Sequence, residues 1–119
     1  MKTINLCIAL LCLAISACSD DVKLEYSNYA EAEDDNLFNR GWLPSIIPKS
    51  SEQIVMNNDL DLNTSEGSFV YGSHDLEEFL GRLKRAPGLD ISGHEAHTYQ
   101  NWIFYIHVAK LQCKYWLVE

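Results

Sequence analysis

The sequence predicts an α+β domain, with a small antiparallel sheet of about four strands and two or three helices, preceded by a cleaved signal peptide. Three observations predict it. Apolar residues alternate with polar ones from Ile54 to Leu62, and two further runs rich in strand-forming residues lie between Tyr99 and Val118. Leu76, Phe79, Leu80 and Leu83 recur at helical spacing. The apolar run ending at Ala17 is too short and too uniform to belong to the domain.

The leader comes first. Met1-Lys2 is followed by a nearly unbroken apolar stretch from Leu6 to Ala17. A charged start, a short apolar run and small residues at its end make a secretory signal. A bilayer-spanning helix needs ~20 apolar residues, so this stretch is not read as a permanent span. Ile15-Ser16-Ala17-Cys18 resembles a lipobox, the processing site of bacterial lipoproteins. The resemblance implies that the Cys18 thiol takes a diacylglycerol, that residues 1–17 are cut away, and that the new amine is acylated, palmitate being one such chain. Several acyl chains hold a protein on a membrane far more firmly than one, at ~0.8 kcal/mol per buried CH₂. Ser19 after Cys18 resembles the pattern of lipoproteins sent on to the outer membrane, so a periplasm-facing anchor there is expected, ahead of the inner membrane.

Residues 18–23 read as the lipidated cysteine and a short polar tether, and 24–119 as a single α+β domain. Ser27 to Asn39 is expected to be a helix, capped by Ser27 or Asn28, with Tyr26, Tyr29, Ala30, Leu37 and Phe38 inward and Gly41 reversing the chain. Trp42 to Pro48 carries Pro44 and Pro48, which lack amide donors, so it is an extended or turning segment. Ile54 to Leu62 is expected to be a half-buried strand, with Ile54, Met56, Leu60 and Leu62 on one face. Asn63 to Gly67 is read as a turn, and Ser68 to Tyr71 as the returning strand. Ser73 is expected to cap a helix running to about Lys84, with Asp75 early and Arg82, Lys84 and Arg85 late, as the helix dipole favours. Leu89 to His97 reads as a loop. Tyr99 to Val108 and Gln112 to Val118 are the last strands, joined by a turn near Ala109-Lys110.

Charge narrows the function classes. Losing Lys2 with the leader leaves 8 of the 9 basic residues against 17 acidic ones, a net charge of −9. Nucleic acid and anionic head groups reward Lys and Arg, so neither is an expected partner. The cysteines agree with lipidation. Cys7 and Cys12 leave with the leader and Cys18 is modified, so Cys113 remains alone, read as a small core residue in an apolar run.

Arg40-Gly41-Trp42-Leu43-Pro44, then Ile47-Pro48-Lys49-Ser50-Ser51, Ile54 and Asp59-Leu60-Asp61-Leu62-Asn63, resemble a family of small bacterial envelope lipoproteins with a YbbD-head-like domain. The likeness covers roughly residues 25 to 72, with Ser51 where the family pattern has alanine. It implies a lipoprotein fold unit and carries no activity with it.

Several constellations contain reactive residue types. Asp59-Leu60-Asp61-Leu62-Asn63 offers alternate oxygens, but a calcium loop wants Gly at its sixth position and Glu at its twelfth, where Thr64 and Val70 stand. A polar strand edge entering a turn is expected instead. His94 and His97, three apart, are the weak metal candidates, since zinc needs three or four converging ligands. Ser73-His74-Asp75 holds triad residue types, but adjacent residues do not meet in triad geometry. Trp42, Pro44, Ile46, Ile47 and Pro48 form a candidate binding surface, weighed against the alternative that Trp42 covers a sheet edge.

The expectation is therefore a membrane-anchored envelope lipoprotein that is a non-enzymatic binding or structural module. It has no cofactor, no catalytic residue assigned, Cys18 as lipidation site and an envelope protein as partner. The rival expectation is a small metal-dependent or hydrolytic enzyme using the His94/His97 loop.

Overall fold

The computed structural model describes residues 21–118. The leader 1–17 and Cys18 lie outside the described residues. Seven strands form one antiparallel sheet: β1 (Asp21–Asn28), β2 (Glu52–Asp59), β3 (Thr64–Val70), β4 (Lys84–Arg85), β5 (Glu95–Tyr99), β6 (Trp102–His107) and β7 (Gln112–Leu117). Their spatial order is β1-β2-β3-β7-β6-β5-β4. Two six-residue helices accompany them, α1 (Tyr29–Asp34) and α2 (Leu76–Gly81), with short 3₁₀ turns at Ser73–Asp75, Pro87–Leu89 and Val108–Lys110. The architecture is mainly β, which corrects the α+β expectation of about four strands and two or three full helices.

The correction has local physical causes. Asn28 does cap α1, its Oδ1 accepting the Glu31 amide at 2.9 Å while Glu31 Oε2 accepts the Ser27 amide at 2.7 Å. The helix then stops early, because Asn36 takes the left-handed conformation at φ 57°. Gly41, at φ 81°, makes the expected reversal. Upstream, Val22, Leu24 and Tyr26 alternate with polar residues, and the chain is already strand there. Asp21, Val22 and Lys23, read as tether, pair with Asp59, Asn58 and Asn57.

The second helix is also cut short. Ser73 makes no cap, and the helix proper ends at Gly81 before β4 begins at Lys84. Its stripe faces inward as expected, with Phe79 buried and Leu76, Leu80 and Leu83 packed against the core. Residues 89–97, read as loop, supply β5 from Glu95 onward. The long strand expected from Tyr99 to Val108 is a hairpin. Tyr99 pairs with Trp102 across Gln100-Asn101, and Gln100 takes φ 51°.

One face of the sheet carries the core. Ile54 and Met56 of β2, Phe69 of β3, Trp102, Phe104 and Ile106 of β6, and Cys113 and Tyr115 of β7 are buried there. Tyr29, Ala32, Leu37, Leu43 and Ile47 close over one half, and Phe79 over the other. Phe79 meets Phe104 edge-on at 5.6 Å and Tyr71 at 5.8 Å between ring centroids. On the opposite face Val55 and Trp116 are exposed. Among the described residues, no helix is long and apolar enough to cross a membrane.

Candidate functional site

The residues singled out by the sequence fall into three places. Trp42 to Pro48 forms a cover over the sheet. Leu43 and Ile47 are fully buried and Pro48 is buried, while Trp42, Pro44 and Ile46 are half-buried, Trp42 and Ile46 packing on the core. The Tyr29 hydroxyl donates to the Ser45 carbonyl at 3.0 Å, and Ser51 Oγ donates to the Pro48 carbonyl at 2.5 Å, so both ends of the segment are pinned. Of the five candidate contact residues, Ile47 and Pro48 face inward, and only the flanks of Trp42, Pro44 and Ile46 reach solvent. Beside Pro48, a cleft of about 180 Å³ is lined by Lys49, Asp75, Glu78 and Arg82. That volume is below the ~300 Å³ at which drug-sized ligands begin to fit.

His94 and His97 do not converge. His97 sits in β5, buried beside Phe104, its Nε2 at 3.4 Å from Glu95 Oε1 and its Nδ1 without a partner. His94 precedes the strand and stacks edge-on against His107, ring centroids 5.3 Å apart. Its Nδ1 is 3.0 Å from the Ser92 carbonyl, while His107 Nδ1 accepts the Lys110 amide at 3.2 Å. Among the described residues, no three His, Cys, Asp or Glu side chains are placed to hold a metal ion.

The acidic residues nearby are structural. Asp90 makes a two-pronged ion pair with Arg85, at 2.5 and 2.7 Å, and accepts the Ala96 amide at 2.8 Å. The Arg85 guanidinium and that amide hold the Asp90 carboxyl down at about 2. Hydrogen bonding from the Ser50 side chain, helped by the Ser50 amide that Asp75 accepts at 3.2 Å, keeps the Asp75 carboxyl below the ordinary range. Ser73, His74 and Asp75 do not form a triad. Asp59 Oδ1 accepts the amides of Asp61 at 3.0 Å and Leu62 at 3.2 Å, so this carboxylate closes the β2–β3 turn.

That turn is the third place. The strand expected to reach Leu62 ends at Asp59, and Leu60 and Leu62 stand out at the hairpin tip, the two most exposed large apolar residues described. Period two assigns them to the buried face, and the early end of β2 overturns that expectation. The signal that could have found it is the aspartate two and three residues before the amides it captures.

Residues 20–70 match the model of the YbbD head domain family, somewhat under half of the chain. The resemblance to that family is thereby shown for this segment, and it suggests an envelope-associated protein. No curated protein and no solved structure matches the chain. The matched segment is β1, α1, the Trp42–Pro48 cover, β2 and β3; the rest of the chain extends the sheet from β3 through β7.

The residues that carry the resemblance have architectural roles. Arg40 pairs with Asp35 at 3.0 Å, and Gly41 reverses the chain. Leu43, Ile47 and Ser51 are fully buried, and the Ser51 carbonyl accepts the Tyr29 amide at 3.0 Å. Asp59 closes a turn that Asn63 leaves at φ 52°. In this structure the pattern marks a way of folding.

Proposed function

We propose, for a chain whose residues 20–70 resemble the YbbD head domain, that it is a bacterial envelope lipoprotein anchored through lipid on Cys18, and that its folded part is a non-enzymatic module binding another envelope protein. The observation that carries this reading is Ile15-Ser16-Ala17-Cys18, directly after an apolar run of secretory length. The likeness to an envelope-associated family supports it, as does the acidic surface, which suits neither nucleic acid nor anionic head groups. Ser19 favours the outer membrane, with the domain facing the periplasm.

Metabolic labelling with a palmitate analogue tests the anchor. The expected result is label in the wild-type chain, none in Cys18→Ala, and wild-type protein in the outer-membrane fraction. Unlabelled wild-type protein recovered in the periplasmic fraction would overturn the anchor. Photo-crosslinking from position 42, whose side chain keeps part of its surface in solvent, tests the partner. One reproducible envelope protein is expected. Capture of nothing, with Trp42 replaceable at no cost to function, would overturn the choice of contact.

A further inference from the structure

The strands of this sheet run between two ends, and the ends differ. One end holds the start of β1, the β2–β3 tip, the Gln100-Asn101 hairpin and the close of β7. The other holds the start of β2 and the Val108–Lys110 turn. Four exposed large apolar residues cluster toward the first end: Leu62 at 61 %, Leu60 at 51 %, Val118 at 42 % and Val22 at 38 %.

The first end is also where the chain enters. Asp21 is the register partner of Asp59, the residue immediately before Leu60. Only Ser19 and Asp20 separate Cys18 from Asp21 in sequence. Three residue steps reach at most ~11 Å. A lipid on Cys18 therefore keeps Asp21, and beside it the hairpin tip, within ~11 Å of the anchored residue, no more than about two head-group layers of ~5–7 Å each. The tip is built to present its leucines. Asp59 takes the Asp61 and Leu62 amides, so the backbone turn is satisfied from within and needs little from water.

We propose that Leu60 and Leu62 seat in the head-group boundary of the bilayer that carries the Cys18 lipid, so that the sheet stands end-on with its strands rising from the membrane. This rests on the lipid-anchor reading above and adds an orientation and a second contact to it. The surface it fits is zwitterionic. Asp21, Asp59 and Asp61 share this end, and anionic head groups would repel them.

The test uses the mature acylated chain in phosphatidylcholine vesicles, with a nitroxide placed at Leu62→Cys or, at the opposite sheet end, at Val108→Cys. Both positions are exposed, and Cys113 is fully buried, so labelling goes to the introduced thiol. Leu60→Cys supplies a second probe at the tip should Leu62→Cys fold poorly. The expected result is loss of broadening by a water-soluble nickel chelate at position 62, gain of broadening by oxygen there, and full nickel access at position 108. Phosphatidylglycerol added to the vesicles is expected to restore nickel access at position 62. Equal nickel access at 62 and 108 in chain whose mass shows the acyl groups would overturn the orientation and leave the anchor standing. Absence of the acyl mass would overturn the anchor, and the orientation with it.

Discussion

Gly67 of β3 lies directly opposite Tyr115 of β7, and a methyl group built on Gly67 would meet the Tyr115 hydroxyl at 2.8 Å. On its other side the same methyl would stand 2.1 Å from the Val55 carbonyl oxygen and 2.9 Å from Met56 Cα. Three central strands close over this point, and only a residue without Cβ lets them do so. Tyr115 fills the space that the glycine leaves, between Phe69, Trp102 and Phe104.

Gly67→Ala is therefore expected to destabilise the domain by about 3 kcal/mol, at the upper end of overpacking costs, because two of the three obstructing atoms are backbone. Denaturant unfolding measures this. A cost under ~1 kcal/mol would mean that β2 and β3 separate freely at that point. Tyr115→Phe is the companion variant. Its hydroxyl is buried without a hydrogen-bond partner of good geometry, and burial pushes its ionisation upward, with only a partial opposing pull from Ser65. Removing an unsatisfied hydroxyl is expected to leave stability unchanged or raise it. A clear loss would assign that hydroxyl a partner.

The Arg85–Asp90 pair ties the residues before β5 back onto that strand. Asp90 has a carboxyl held at about 2 in the folded chain, against an ordinary value of 3.8. A depressed carboxyl contributes stability that is present above the ordinary value and is lost as pH falls through the folded one. Asp90→Asn is thus expected to lower the thermal midpoint at neutral pH. The gap from wild type should close as pH falls from about 4 toward 2. The pair is solvent-exposed, so the effect is modest and shrinks with salt. Melting curves across that pH range check it. A gap that persists unchanged at the acid limit would place the effect in the lost geometry rather than the charge.

Cys113 lies at the middle of the sheet, fully buried opposite Phe69 and Ile106. Burial pushes its thiol well above the ordinary range. It is expected to resist an aromatic disulfide reagent in the native protein and to react fully in denaturant, at a rate in dilute denaturant that follows opening of the sheet. Rapid stoichiometric reaction of the native chain would contradict the burial of β7.

Much of the chemistry was legible in the residues themselves. The apolar run before Cys18 and the excess of acid are properties of composition and order, and they need no partner residue to be read. So are the strands around Ile54, Phe69, Trp102 and Cys113, because period two in a half-buried sheet is written locally. The motif around Arg40 to Pro48 was recognised, but its role as a cover became visible only where Leu43 and Ile47 meet the sheet.

What tertiary structure alone decided is where each element stops and what stands beside it. Asn36 turns left-handed just past a helix end, as asparagine readily does, but Gln100 does so because β5 and β6 pair across it, and no local propensity of glutamine compels that. His94 meets His107, and not His97, because the β5–β6 register pairs Glu95 with Ile106. Leu60 and Leu62 share sequence parity with Ile54 and Met56, yet they face solvent because Asp59 closes the turn beneath them. Sequence periodicity sets which residues would share a face if a strand continued. Long-range hydrogen bonding sets whether it does, and so places the two leucines beside the point where the chain enters the fold.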